Sequence, residues 1–277
     1  MLSWGLPRLR DLPWRRTRDP WHVLVSEVML QQTQVQRVTP KWLAFVEAFP
    51  TPTDCARAAL GDVLRLWHGL GYPRRARNLQ AAAVAMVERH DGRVPSDLVA
   101  LLALPGIGPY TARAVRVFAY EFDDAVVDTN IARVYARLAG HSLTAKTVQA
   151  SADAAVPGGE GWAWNQVLMD LGAVLCRPRN PSCAECPLRS SCAWARAGWP
   201  APDPAQGSAG VSTTQARFEG SDRQARGRLI AALTTGSIEL EDAPAAMGCS
   251  SIRARLLVED LVAEGLVALR ADRLQLP

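Results

Sequence analysis

Four cysteines, Cys176, Cys183, Cys186 and Cys192, fall within seventeen residues, separated by 6, 2 and 5 positions, and Pro178, Pro181 and Pro187 punctuate the loop that carries them. Four thiolates at such intervals satisfy either a tetrahedral zinc or a 4Fe-4S cluster. A zinc ribbon prefers two CxxC pairs, and here only Cys183 and Cys186 form one. Cys55 and Cys249 stand alone and read as small buried apolar residues.

Two carboxylates lie in apolar settings, Glu27 in SEVMLQQTQV and Asp128 in AVVDTNIARV. On a helix, Val23, Leu24 and Leu30 stand three or four residues from Glu27, so desolvation is expected to raise its pKa and suit it to donate a proton. Asp128 falls at a predicted helix start, where free amides and the macrodipole favour the ionised form; plain N-capping needs the same residue there. One carboxyl kept protonated and one kept charged is what glycoside cleavage requires, because the leaving group takes a proton while the sugar develops positive charge.

LPGIGPYTA at 104–112 lies between two helical stretches. Glycine at 106 and 108 permits backbone angles closed to other residues, so the turn aims its amides outward at the next helix start, a geometry that holds a DNA phosphate. The pattern reads as a helix-hairpin-helix.

Most of the first 196 residues must be helical to position these groups. Asp19-Pro20 starts a helix through WHVLVSEVML, and further helices are predicted over 36–48, 54–67, 74–90, 96–103, 109–120, 128–139 and 162–175. No period-2 pattern interrupts them. Residues 197–216, rich in Ala, Pro, Gly and Ser, read as a linker with too little apolar surface to order itself. Beyond it the chain predicts a helix over 221–235, a short SIEL strand, helices over 241–247 and 250–264, and a hairpin turning near Ala271-Asp272, the order of a winged helix.

The 277-residue length fits two domains better than one, and 48% hydrophobic with 21% charged residues excludes global disorder. No run of apolar residues is long enough to span a bilayer, and the N-terminus carries no secretory pattern, so a cytoplasmic protein with reduced thiols is expected, without a membrane partner. The net charge of +4 is unevenly shared: residues 217–277 carry 8 arginines against 9 acids, leaving +5 on residues 1–216, so phosphate binding belongs to the N-terminal part. Only Lys41 and Lys146 are lysines, which limits amine chemistry. His22, His68, His90 and His141 match no ligand spacing.

Together the motifs SEVMLQQTQV, LPWR at 12–15, WHGLGY at 67–72, LPGIGPYTARA, VVDTNIARV, NQVLMDLGA at 165–173 and the cysteine loop resemble the adenine DNA glycosylases of the MutY family, within the helix-hairpin-helix superfamily that includes endonuclease III. The resemblance covers residues 3–196. It implies a mainly α fold, with a six-helix barrel and helix-hairpin-helix over 21–128, a helical iron-sulfur domain from 1–20 and 129–196, and here a small winged-helix-like domain over 217–277. The 6-2-5 cysteine spacing is that of the family's cluster loop, which makes a 4Fe-4S cluster the expected cofactor, on Cys176, Cys183, Cys186 and Cys192.

By this resemblance Glu27 protonates N7 of a flipped-out adenine and Asp128 stabilises the oxocarbenium ion, with Tyr110 and Asn130 flanking them. Tyr110 stands where endonuclease III carries its Schiff-base lysine, which implies a glycosylase without an efficient lyase step. Trp14, Arg15, Leu30 and Gln166 match the adenine pocket, while Gln32 and Tyr72 match the wedge that enters the duplex. Gly106, Gly108, Arg177 and Arg179 are the expected phosphate contacts. The implied activity is removal of adenine mispaired with 8-oxoguanine or guanine by a monomer acting on mismatched double-stranded DNA. Rival readings are a thymine–DNA mismatch glycosylase and a non-catalytic iron-sulfur DNA-binding regulator; EVMLQQTQV with Gln166 disfavours the first, and the paired Glu27 and Asp128 disfavour the second.

Two departures stand out. Pro73 follows the wedge tyrosine where the family often repeats tyrosine. The C-terminal 60 or so residues are too few for the Nudix-like domain that commonly reads 8-oxoguanine. In its place, Arg253 and Arg255 on the third predicted helix face Glu259, Asp260 and Glu264, so that helix is expected to bind duplex poorly, whereas Arg223, Arg226 and Arg228 are directed by this reading toward the strand opposite the flipped base.

Overall fold

The computed structural model describes residues 1–208 and 217–277; positions 209–216 of the predicted linker lie outside the described residues. The described chain divides into two compact units, one of residues 1–20 and 108–208, the other of residues 21–107 and 217–277. No helix among the described residues is long and apolar enough to cross a membrane.

In the second unit the helices Pro20–Leu30, Val35–Ala48, Pro52–Arg57, Leu60–Trp67, Arg74–Arg89 and Leu98–Leu102 bury Trp21, Leu24, Phe45, Trp67, Leu79, Met86 and Leu101. Phe45 meets Phe49 and Trp67 edge to face, at centroid distances of 5.1 and 6.2 Å, the preferred geometry of aromatic quadrupoles. The indole N–H groups of this core are satisfied by carbonyls: Trp21 donates to Phe49 at 2.9 Å and Trp67 to Gly71 at 3.1 Å.

The single helix predicted over 54–67 is two. A capping box between Thr51 and Asp54 starts the first, and the chain becomes extended at Ala58 before the second begins at Leu60. Gln80 donates to the carbonyls of Cys55 and Ala58, at 3.3 and 2.7 Å, so the break leaves neither exposed to an apolar neighbour.

The first unit is built on Thr129–Ala139 and Gly161–Asp170, whose Ile131, Val134 and Leu168 cluster with Leu171. The predicted helix over 162–175 is α-helical only to Asp170; Leu171–Leu175 form a π-helical turn that delivers the chain into Cys176. A further helix, Ala145–Ala155, escaped the sequence reading because it is made of small residues and buries only Val148 and Ala152. The front of the linker also departs from expectation: Ala205 and Ser208 are buried, Trp194 donates to Pro200 O at 2.9 Å, and Asp203 pairs with Arg137 at 2.6 Å. Buried contacts with one charged anchor thus order a segment whose composition predicted none.

The C-terminal region has the predicted order: helices Asp222–Leu233, Ala243–Met247 and Ser251–Ala263, with strands Ile238–Glu239, Ala268–Arg270 and Arg273–Gln275 in one antiparallel sheet, the last strand central. Leu274 pairs with Ile238 on one side and Leu269 on the other. Ala271 and Asp272, both at positive φ (45° and 61°), make the two-residue turn, whose hand matches the sheet twist. This region packs within the second unit: Glu264 accepts from Arg74, and Gly61 N–H donates to Pro277 O at 2.8 Å, while inside the region Glu264 also accepts from Arg226 at 2.5 Å.

Hydrogen bonds from Arg74, despite opposing burial, and from Arg226 pull the Glu264 carboxyl down to about 2. Because the folded pKa lies below the ordinary 4.5, the stabilisation is complete above that value and is lost as pH falls from there toward 2. Glu264→Gln is expected to cost about 1 kcal/mol near neutral pH and nothing near the acid end, read from thermal melts across that window. A constant difference at every pH would contradict the assignment.

Candidate active site

Asp128 caps the Thr129–Ala139 helix. Its Oδ1 accepts the Ile131 N–H at 2.7 Å and its Oδ2 the side-chain amide of Asn130 at 2.8 Å. The Asn130 carbonyl accepts from Arg133 at 2.7 Å, and the same guanidinium donates to the carbonyls of Gly172 and Cys176, each at 2.7 Å. A Cβ on Gly172 would stand 2.7 Å from that of Asn130, so the π-helical turn approaches this closely only with glycine there. Asp128 is therefore linked through two side chains to the backbone of the first cysteine. Its net shift differs from the sequence reading: burial pushes the carboxyl up, and the hydrogen bonds from Ile131 and Asn130 offset only part of that.

Trp14 is buried in a single turn, Pro13–Arg15, and Gln166 is buried on Gly161–Asp170. Arg15 ties the two segments together. Its guanidinium donates through both Nη atoms to Asp170 at 2.8 Å, while Arg10 adds its backbone N–H at 2.8 Å and Nε at 2.7 Å. Burial pushes Asp170 up, but these donors outweigh it and hold the carboxyl below its ordinary value. Arg15 is thus engaged as a strut to Asp170, a partner that the sequence reading did not single out.

The glycine turn divides its labour. Gly106 sits at φ 75° with Asn78 only 2.7 Å from where a Cβ would stand, so both the angle and the space require glycine. Gly108 is extended and caps Pro109–Tyr120, and a Cβ added there would meet nothing within 4 Å. Tyr110 is the second residue of the helix and half-buried.

All four loop cysteines are free thiols and line one cavity of about 30 Å³ together with Val134, Leu171, Leu175, Leu188 and Trp194. Arg137 donates to Cys176 Sγ at 3.3 Å, and Cys192 Sγ donates to Arg137 O at 3.2 Å. Among the described residues no group of three or more His, Cys, Asp or Glu side chains is arranged to hold a metal ion. Arg177 and Arg179 are exposed on the loop, Arg177 donating to Asn180 O at 3.0 Å and Ser182 Oγ at 3.2 Å. Cys55 is buried, its thiol pushed up to about 12 by desolvation, whereas Cys249 is half-buried.

In the second unit Glu27 is 6% exposed on Pro20–Leu30, flanked by buried Val23, Leu24 and Val28, with Leu30 the last residue of the helix. Gln32 and Tyr72 occupy the loops after Leu30 and before Arg74, both in the left-handed region at φ 56° and 50°. Residues other than glycine hold that conformation only when their surroundings impose it, and here Arg75 does. Its guanidinium donates to the carbonyls of Val28, Met29, Gln31, Leu70 and Gly71 at 2.6–3.2 Å and to Thr33 Oγ1 at 3.2 Å, fastening both loops to each other. Pro73, in the helical region, leads into Arg74–Arg89 and leaves Tyr72 in place. Sequence reasoning missed Arg75 and Arg133, since an arginine on a helix looks solvated until its acceptors are seen.

The glycine hairpin, the cysteine loop and the helical scaffold define a helix-hairpin-helix base-excision protein, and residues 25–157 match the model of the HhH-GPD superfamily base excision DNA repair proteins. The chain is 41% identical to an adenine DNA glycosylase of Mycolicibacterium smegmatis over 98% of its own length and 92% of that protein's. It is 39% identical to the human adenine DNA glycosylase over 69% of this chain and 38% of the human one. A thermostable thymine-DNA glycosylase superposes with a TM-score of 0.66 at 30% identity, covering 71% of this chain and 93% of that one. This chain belongs to the adenine DNA glycosylase family, enzymes of base excision DNA repair. The mycolicibacterial match runs through the C-terminal region, whereas the human protein extends far beyond the shared part.

Asp170→Asn is expected to cost roughly 3–5 kcal/mol, because it leaves two arginines facing a neutral amide in a buried site. Chemical denaturation measures this, and a loss under about 1 kcal/mol would show that Asp170 does not hold the Trp14 segment.

Proposed function

We propose that the enzyme removes adenine paired with 8-oxoguanine or guanine, with Glu27 as the acid and Asp128 as the electrostatic partner. The observation that carries this reading is Glu27 itself, a carboxyl buried among Val23, Leu24 and Val28 on an apolar helix, the kind of environment from which glycosidic cleavage draws its acid. The adenine leaves its stack, since its glycosidic bond is inaccessible inside the duplex. Glu27 delivers a proton to N7, which lets the base depart as a neutral leaving group. As the bond lengthens, Asp128 offers its carboxylate to the positive charge growing at C1′, and Asn130 keeps that carboxylate oriented. Water then completes the hydrolysis. Trp14, Arg15, Leu30 and Gln166 line the adenine's pocket in this reading, with Arg15 also bracing the Trp14 segment, and Gln32 and Tyr72 form the wedge that enters the duplex beside the flipped base. Tyr110 flanks the carboxylates and provides no amine, so strand scission after base loss is inefficient. Gly106, Gly108, Arg177 and Arg179 hold phosphates.

The four cysteines fit a 4Fe-4S cluster: four free thiols surround one apolar-walled cavity, at a spacing that lacks the second CxxC pair of a zinc ribbon. Bound there, the cluster would brace the loop carrying Arg177 and Arg179 and, through Arg133, the backbone behind Asn130. We place the enzyme in the cytoplasm, acting on double-stranded DNA as a monomer.

Glu27→Gln and Asp128→Asn are each expected to slow single-turnover adenine release from duplexes with adenine opposite 8-oxoguanine or guanine by about 10²–10⁴-fold while duplex binding persists. Rates close to the unsubstituted enzyme for either variant would overturn the assignment. The purified protein should hold about four irons per chain and absorb broadly in the visible, and Cys183→Ser should lose both along with DNA affinity. Stoichiometric zinc without iron would refute the cluster.

A further inference from the structure

A cavity of about 960 Å³ opens within the second unit, walled on one side by the loops of Gln32 and Tyr72 and on the other by the helix Asp222–Leu233. That is the upper end of the roughly 300–1,000 Å³ typical of ligand clefts. Its charged lining comprises five arginines against two aspartates; Arg74 and Arg226 are paired with Glu264, so the positive surplus that favours an anionic occupant rests on Arg37, Arg223 and Arg228.

Gly227 faces this space from the interior of the helix, and a Cβ there would meet nothing within 4 Å. A helix-interior glycine costs about 1 kcal/mol relative to alanine. Among the described residues no neighbour demands that glycine, and the open space over it lets a ligand approach the helix backbone from the cavity. Arg223, one turn earlier, donates to the Tyr72 hydroxyl at 3.1 Å, and its guanidinium stands 5.2 Å from the Phe218 ring centroid and 6.0 Å from that of Tyr72. The wall therefore offers flat aromatic and guanidinium faces on which a base stacks, beside arginines suited to its phosphodiester.

The third helix of the region, Ser251–Ala263, offers much less. Arg253 is paired with Asp222 at 2.6 Å and Arg255 with Glu259 at 3.1 Å, while Ile252 is 79% exposed. The helix by which winged folds usually meet DNA is neutralised here, and the basic cavity lies against the first helix instead.

We infer that this groove receives the nucleotide that was paired with the target adenine, and that Gly227 and Arg223 are specificity-determining residues for the opposite strand. The inference rests on the proposed entry of Gln32 and Tyr72 into the duplex beside the flipped base. Gly227→Trp fills the groove without disfavouring the helix, since tryptophan is the better helix former. Ile252→Trp adds the same bulk to the same region, outside the groove.

The test uses the full chain and three duplexes, with adenine opposite 8-oxoguanine, guanine or an abasic residue. Gly227→Trp should slow single-turnover adenine release and raise Kd by about tenfold or more opposite either purine, the size of one lost base contact, yet stay within about twofold opposite the abasic residue. Ile252→Trp should match the unsubstituted enzyme on all three. Equal losses on every duplex, or none on any, would overturn the inference. If the unsubstituted enzyme released no adenine, the excision reading would fail by itself, and the same Kd panel would still decide what the groove binds.

Discussion

A guanidinium taken out of water draws acceptors to its N–H groups, and this protein uses that to build its functional loops, although the buried Nε of Arg75 has no hydrogen-bond partner among the described residues. Arg75 fastens the loop after Leu30 to the loop before Arg74, and so sets Gln32 and Tyr72 in left-handed conformations that neither would adopt alone. Burial pulls Arg75 down to about 10, still far above neutral pH, so the knot stays charged. Arg133 does the corresponding work in the other unit, joining Asn130 to the carbonyls of Gly172 and Cys176. Neither residue faces the reaction in the proposed mechanism. Each fixes the backbone from which a reacting or intruding side chain projects.

The same logic explains why a short C-terminal region can matter. Its contacts with the rest of the second unit include Glu264 with Arg74, Arg223 on Tyr72 and the Gly61 N–H donated to Pro277 O, while Arg226 braces Glu264 from within the region. The mycolicibacterial relative aligns through this region, whereas the human protein extends far beyond the shared part.

Much of this was legible in the sequence, for identifiable reasons. The helices ending at Ala48, Arg89, Tyr120 and Ala139 have strong apolar periodicity or clear caps, and the winged order was written in alternating helix and strand patterns with a two-residue turn at Ala271-Asp272. The cysteine spacing marked four thiols as one group, and the four line one cavity. What stayed hidden were properties of three-dimensional neighbours. The break at Ala58 depends on Gln80, the order of residues 199–208 on Arg137 and buried small side chains, and the upward shift of Asp128 on how deeply the fold buries its cap. Local signals of N-capping pointed the other way for that carboxyl, and burial won.

The central claim is that adenine leaves because a buried acid protonates it at N7. A duplex carrying 7-deazaadenine opposite 8-oxoguanine removes only that acceptor, keeping the pairing edge and the shape of the base. The account predicts that the enzyme binds this duplex with an affinity near that for the adenine duplex and releases essentially no base in single-turnover conditions. Release at a rate comparable to adenine would contradict proton donation at N7 and with it the role given to Glu27.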